Sequence, residues 1–150
     1  MTVGEICKHD VAVVAANESV VDAANRMRTA HVGDLVVVEN RVDRRVPIGI
    51  ITDRDIVVAA VAANGGHIES LLVGDIMSAD VVTAREPEPI EGALKKMEQH
   101  GVRRLPVVSG DGALVGILTL DDAMQMLTEQ QMGLLKIIAR EQRRERQFRI

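Results

Sequence analysis

Aromatic side chains are almost absent from this chain. Its 150 residues include one Phe and neither Tyr nor Trp. A surface that stacks single-stranded bases depends on aromatic faces, so such a surface is not expected. The net charge of −4 also argues against a general nucleic-acid role. One alternative stays open, because residues 140–150 hold five Arg against two Glu. Steep salt dependence would reveal nucleic-acid binding at that segment.

Cysteine and long apolar runs are also scarce. The lone Cys7 cannot form an internal disulfide, which fits a reducing compartment. No apolar stretch approaches the roughly 20 residues that a membrane helix needs, and the N-terminus lacks the pattern of a signal peptide. We therefore expect a cytoplasmic protein that does not associate with membranes.

The common motifs of metal binding and catalysis are missing as well. The four His residues have no metal-ligand spacing with one another or with Cys7. There is no phosphate-binding loop of the Gly-x-x-x-x-Gly-Lys-[Ser/Thr] type and no nucleophile elbow. We expect no metal site, no catalytic residues and no catalytic cofactor, hence no enzyme. An enzyme acting on a nucleotide is the alternative, which a turnover assay would test.

What the chain does contain is an internal repeat. Residues 3–38 align with residues 73–108 at an offset of 70, and residues 49–55 align with residues 116–122 at an offset of 67. The difference of three residues falls in one loop, which indicates two copies of one folded unit. Each copy is marginal in length for a core of its own, so the two copies are expected to pack on each other.

The hydrophobic pattern of each copy predicts the order strand, helix, strand, strand, helix, and therefore an α/β fold. The predicted strands are 11–14, 35–38, 46–51, 81–83, 105–108 and 114–118. The predicted helices open near Ser19, at Thr52, near Pro87 and near Thr119, whereas the polar segment 39–45 is predicted to be a loop. The expected domains are unit 1 at 1–63, a linker at 64–72, unit 2 at 73–128 and an Arg-rich helical extension at 129–150.

The last helix is longer than its counterpart in the first copy. Five apolar residues fall close to one of its faces, namely Ala123, Leu127, Leu134, Ile137 and Ile138. One interpretation is a helix that packs on its own domain and then frays. The other is a contact with a second copy or with a partner protein, because an isolated helix of this length is marginal in water.

One repeated motif has side chains suited to ligand binding. It consists of a glycine, two apolar residues, a threonine, two variable residues and an aspartate. It occurs at a strand-to-helix junction in both copies, with Thr52 and Asp55 in the first and Thr119 and Asp122 in the second. A helix start favours a phosphate, and a carboxylate one turn later can accept bonds from ribose hydroxyls. The alternative is purely structural, since threonine and an acid at this spacing form a capping box.

Several paired motifs resemble a tandem pair of cystathionine-β-synthase (CBS) domains, the Bateman module, of a stand-alone bacterial type. The matching pairs are Val-Gly-Glu-Ile-Cys and Val-Gly-Asp-Ile-Met, His-Val-Gly-Asp-Leu-Val-Val-Val and Gly-Val-Arg-Arg-Leu-Pro-Val-Val, and Gly-Ile-Ile-Thr-Asp-Arg-Asp-Ile and Gly-Ile-Leu-Thr-Leu-Asp-Asp-Ala. The resemblance covers residues 3–128. It implies two units in a pseudo-twofold pair and two clefts that bind AMP, ADP, ATP, NAD or S-adenosylmethionine.

The resemblance also implies roles for individual residues. Asp55 and Asp122 would bind ribose, one in each cleft, with Thr52 and Thr119 near ribose or phosphate. The base would be bordered by backbone and apolar neighbours at Val32, Gly33, Val102, Arg103, Ile50 and Ile117.

The two copies differ where the resemblance places the rim of each cleft. The second copy has Arg103 and Arg104 at the positions of Gly33 and Asp34. Arginine suits phosphate and a nearby carboxylate repels it, so we expect one cleft to take a charged nucleotide better than the other. The alternative is that both arginines are a solvated surface pair.

The resemblance implies a nucleotide-binding regulatory protein that changes conformation on ligand binding, forms a homodimer and signals to an unidentified protein partner. The rival hypothesis is a ligand-free dimeric scaffold that acts through the last helix. Thermal stabilisation by a nucleotide would separate the two hypotheses.

Overall fold

The computed structural model describes residues 1–148 and contains two three-stranded sheets. The first repeat comprises α1 (Val3–Ile6), β1 (Val13–Ala15), α2 (Val20–Ala30), β2 (Asp34–Arg41), β3 (Arg44–Thr52) and α3 (Asp53–Asp55), which continues as π-helical turns over Ile56–Ala62. A 3₁₀ segment, Gly65–Ser70, follows. The second repeat comprises α4 (Val73–Ile76), β4 (Ala84–Arg85), α5 (Ile90–His100), β5 (Arg104–Val108), β6 (Leu114–Thr119) and α6 (Leu120–Phe148). No helix within residues 1–148 has the length and apolarity that crossing a membrane requires.

The two sheets share one topology. In each sheet the middle strand pairs in parallel with the short first strand and antiparallel with the last, in the orders β1-β2-β3 and β4-β5-β6. Four consecutive residues are buried in each central strand, Leu35–Val38 in β2 and Leu105–Val108 in β5, so both faces of these stretches are covered. The predicted α/β class, the paired units and the long last helix are therefore confirmed.

Three local predictions were wrong. Segment 39–45 is not a loop, because β2 and β3 extend into an exposed hairpin that turns at Val42 and Asp43. The strand predicted at 81–83 lies at Ala84–Arg85. The repeats also open with the short helices α1 and α4, which the strand-first order had missed. Each of these helices has only four residues, too few to show a period.

The first segment of each repeat packs on the opposite unit. The Val3 amide donates to the Glu88 carbonyl over 2.8 Å, and the equivalent Val73 amide donates to the Glu18 carbonyl over 2.9 Å. Val3 and Cys7 lie in the core cluster of the second sheet, and Val73 lies in the core cluster of the first. This reciprocal exchange relates the units by a pseudo-twofold axis. A third cluster, built around Val36, Val38 and Ile117, joins the two sheets.

The strand-to-helix junctions at Thr52 and Thr119 are called the Thr corners below. The exchange explains why a glycine lies three residues before each of these threonines. Directly beside Gly116, the Lys8 amide donates to the Ile117 carbonyl over 3.0 Å and the Ile117 amide donates to the Lys8 carbonyl over 2.8 Å. A Cβ on Gly116 would lie 2.7 Å from the Cys7 sulfur and 2.9 Å from the Lys8 carbonyl oxygen. Gly49 is in the same position, 2.7 Å from the Ser78 carbonyl oxygen. Both glycines therefore admit the exchanged backbone.

We predict that Gly116→Ala destabilises the fold by about 1–3 kcal/mol, because the new methyl group would force the exchanged segment away from β6. Chemical denaturation would measure the change in the free energy of unfolding. Gly133→Ala is the matched control, since no atom of the described residues lies within 4 Å of a Cβ at this exposed helical position. It should be neutral or stabilising by up to about 1 kcal/mol. Equal effects of the two variants would contradict this role of Gly116.

Candidate functional site

Two clefts lie between the units, and each is named here after its threonine. The Thr119 cleft has a volume of about 540 Å³. It combines the corner of the second unit with the loop before β2, through Ile117, Thr119, Asp122, Val32 and Gly33. The Thr52 cleft has a volume of about 330 Å³. It combines Ile50 and Thr52 with Gly101 and Val102, which precede β5. Each cleft thus takes its corner from one unit and its opposite wall from the other.

The Thr52 corner is a complete capping box. The Asp55 amide donates to the Thr52 hydroxyl over 3.1 Å, and the Thr52 amide donates to the Asp55 carboxylate over 2.9 Å. Thr52 lines its cleft, whereas Asp55 is not among the described residues that line it. In this structure the Asp55 carboxylate therefore satisfies its own helix start.

The Thr119 corner is held together differently. The Asp122 amide again donates to the Thr119 hydroxyl, over 3.1 Å, but this hydroxyl donates in turn to the Asp122 carboxylate over 2.7 Å. The other Asp122 oxygen lies 3.2 Å from the Lys8 ammonium, which the exchanged N-terminal segment brings to the rim. Only 12% of the Asp122 side chain is exposed, and this residue lines the Thr119 cleft.

Arg103 and Arg104 border both clefts. Arg103 forms an exposed ion pair with Asp121 at 3.6 Å. Arg104 donates from Nε to Asp34 over 2.9 Å, so it bonds across the interface between the units. Burial raises the pKa of the Asp34 carboxyl, and the charge of Arg104 acts in the opposite direction. The arginines are therefore bound to carboxylates at the rim of the clefts.

The charged side chains that line the two clefts give them net charges of opposite sign. Four carboxylates face three cations in the Thr119 cleft, namely Asp10, Asp34, Asp121 and Asp122 against Lys8, Arg103 and Arg104. Two carboxylates face three cations in the Thr52 cleft, namely Asp53 and Asp80 against Arg54, Arg103 and Arg104. The Thr52 cleft is therefore the more favourable of the two for an anion.

Sequence reasoning missed several lining residues, including Lys8, Asp10 and Asp80. Lys8 and Asp10 precede the first strand of unit 1 but line the cleft at the corner of unit 2. The sequence offered one signal for these residues, because Lys8 and Ser78 occupy equivalent positions after the paired Val-Gly motifs. The repeat alone did not show that each of these segments packs on the opposite unit. Within residues 1–148 no group of three or more His, Cys, Asp or Glu side chains is arranged to hold a metal ion.

Known proteins share this architecture. The family model of the CBS domain matches this chain twice, at residues 3–62 and 73–129. Protein MK0525 of Methanopyrus kandleri is 37% identical over 126 residues, which cover 84% of this chain and 62% of that protein. The CBS domain-containing protein YhcV of Bacillus subtilis is 35% identical, over 82% of this chain and 84% of its own. The chain thus spans less than two thirds of the Methanopyrus relative.

A similar solved structure is the CBS domain pair of protein MJ0100 in complex with 5′-methylthioadenosine and S-adenosyl-L-methionine. It has a TM-score of 0.73 and is 26% identical, and the match covers 87% of this chain and 98% of that one.

The geometry predicts that both corner hydroxyls stabilise the fold without any ligand. Thr52→Ala and Thr119→Ala should each lower the free energy of unfolding by about 1 kcal/mol, since each removes the acceptor at a helix start. Denaturation of the unliganded protein would measure the loss. Thr52→Ser and Thr119→Ser are the matched controls, because serine keeps the acceptor. Alanine variants as stable as the parent would show that the hydroxyls do not contribute as caps.

Proposed function

Because this chain belongs to the CBS domain family, with two CBS domains in tandem, we propose that it is a regulatory protein that binds adenosine-containing ligands in its two clefts. One observation carries the proposal. Each cleft is open and joins the Thr corner of one unit to the loop before the central strand of the other. A ligand in such a cleft contacts both units, so its binding is linked to their relative arrangement.

The chemistry of the Thr119 cleft suits a nucleoside. The Asp122 carboxylate can accept from ribose hydroxyls, and Ile117, Val32 and Gly33 line the same cleft, where they would border the base. In the Thr52 cleft, Ile50 and Val102 take the corresponding places. The ligands of the MJ0100 pair are both adenosine derivatives. We propose AMP, ADP, ATP, NAD or S-adenosylmethionine as the ligand class here.

Because their net charges differ, the two clefts favour different members of this ligand class. A nucleotide with negative phosphates is favoured in the Thr52 cleft, where cations outnumber carboxylates. The Thr119 cleft, with its excess of carboxylates, favours a neutral or cationic adenosine derivative. The proposed mechanism is a population shift: the ligand stabilises one arrangement of the units and so changes the surface available to a partner. We propose a cytoplasmic regulator that binds its ligand without chemical turnover, which a turnover assay tests.

We predict that AMP and adenosine both raise the melting temperature and that calorimetry resolves two unequal sites. Asp122→Asn should weaken adenosine binding at one site about tenfold or more, because the lost charged hydrogen bonds are worth about 1.5–3 kcal/mol. Asp22→Asn is the matched control, since Asp22 is exposed on α2 and lines neither cleft. Two equal sites, or no response to Asp122→Asn, would contradict the assignment.

A second function is favoured by the last helix. From Leu127 to Phe148 every residue of α6 is exposed, so this part of the helix extends away from its own domain. Its exposed apolar side chains include Leu127, Leu134, Leu135, Ile137 and Ile138. All of them except Leu135 continue the face that Ala123 buries nearer the body. A contiguous exposed apolar face of this kind is typical of a protein interaction site.

We propose that a second copy of this chain covers the apolar face of α6. Within residues 120–131 the helix has only acidic charges, at Asp121, Asp122 and Glu129, whereas residues 132–148 have five cations against two acids. An antiparallel pair of α6 helices therefore places the acidic half of one copy beside the basic half of the other. Such a homodimer would also serve as a scaffold without any ligand.

We predict that Leu134→Glu or Ile138→Glu shifts the protein from dimer to monomer. Burial of one such side chain is worth about 1.5–3 kcal/mol, so the dissociation constant should rise about tenfold or more. Sedimentation velocity would measure the change. Met132→Glu is the matched control, because it adds the same charge to the same half of the helix at an exposed apolar residue on the opposite face from Leu134. A monomeric parent protein, or equal dissociation by Met132→Glu, would contradict pairing through this face.

A further inference from the structure

The ion pair between Asp34 and Arg104 joins equivalent positions of the two repeats. Asp34 begins β2 and Arg104 begins β5, and the repeat offset of 70 residues relates them. Equivalent residues of a twofold pair can meet only at the axis, so this bond lies at the pseudo-twofold axis. At such a position an undiverged duplication would juxtapose two like residues. Here the copies have diverged to opposite charges, joined at 2.9 Å.

The same pair stands between the clefts. Arg104 lines both the Thr119 cleft and the Thr52 cleft, whereas Asp34 lines only the first. The Asp34 side chain is 16% exposed and the Arg104 side chain is 37% exposed. The guanidinium can therefore be approached from either cleft, while its carboxylate partner is mostly removed from solvent.

We propose that Asp34 competes with the ligand's phosphate for Arg104, so that this ion pair sets the preference between phosphorylated and unphosphorylated ligands and couples the clefts to the contact between the units. The proposal rests on the proposed function. Guanidinium forms strong charge-assisted bonds with either a carboxylate or a phosphate. A phosphate that recruits Arg104 leaves the mostly buried Asp34 carboxylate without its cation, a cost that an unphosphorylated nucleoside does not incur.

The surroundings of Asp34 support this competition. Burial is the main influence on the Asp34 carboxyl and raises its pKa, and the nearby Asp53 carboxylate acts in the same direction. Arg104 is the cation that opposes both effects. Loss of Arg104 to a phosphate would therefore weaken the bond between the units at their axis. Binding would then change how the units contact each other.

Calorimetry with AMP and adenosine on the full chain tests the proposal. Asp34→Asn keeps the shape of the side chain and removes its charge, so the affinity for AMP should rise about fivefold or more, the lower end of typical coupling between sites. Adenosine affinity should stay unchanged. Asp10→Asn is the matched control, because it removes the same charge from the same cleft and leaves both arginines paired with their carboxylates. Its ratio of AMP to adenosine affinity should change less than twofold.

Arg104→Gln is the second variant and should lower AMP affinity while adenosine binding is retained. It keeps the proposal testable if Asp34→Asn fails to fold. An unchanged ratio of AMP to adenosine affinity in both variants would overturn the competition while leaving the proposed function intact. An equal gain in Asp10→Asn would overturn it too, since the effect would then be general electrostatics. Failure of the parent protein to bind either compound would overturn the proposed function itself.

Discussion

The exchange of the first segment between the units is the constraint on which the rest of the structure depends. Each sheet has only three strands and leaves part of its core open, and the turn that closes it comes from the other repeat. The exchange is held by backbone hydrogen bonds, such as those between Lys8 and Ile117 and between Ser78 and Ile50. Backbone hydrogen bonds require that the two main chains approach closely, but they do not require a particular side chain. Glycine therefore suits positions 49 and 116, where a Cβ would obstruct the exchanged segment.

The same exchange explains how far the fold and the site could be predicted from the sequence. The repeat and its hydrophobic pattern predicted the α/β class, the central strands and the long last helix, because these depend on periods within one segment. The bounds of β4 and the short helices α1 and α4 were missed, since two to four residues carry no period. Lys8 was missed for a different reason. Its place in the Thr119 cleft depends on a contact with the opposite unit, which no local pattern encodes.

The two corners show why a capping motif and a binding motif are hard to distinguish in a sequence. Thr52 and Thr119 both accept an amide at a helix start, as a cap requires. The aspartates then differ. Asp55 accepts the Thr52 amide, whereas Asp122 accepts from the Thr119 hydroxyl and pairs with Lys8 at the rim of a cleft. One spacing thus gives two electrostatic settings, and Lys8 from the opposite unit contributes to the difference. A role in binding has to be argued for each corner separately.

Duplication within one chain permits an asymmetry that an identical dimer cannot have. In a dimer of identical units, a residue at the twofold axis meets its own copy, and two like charges there repel. In this chain the axis is only approximate, so position 34 could become Asp while position 104 became Arg. That divergence places an ion pair between the two units and also adds to the difference in charge between the clefts, because Arg104 lines both clefts and Asp34 lines only one. The bond at the axis therefore contributes to the asymmetry of the clefts. If Asp34 and phosphate compete for Arg104 as proposed, a change at either position alters both the contact between the units and the ligands that the clefts favour.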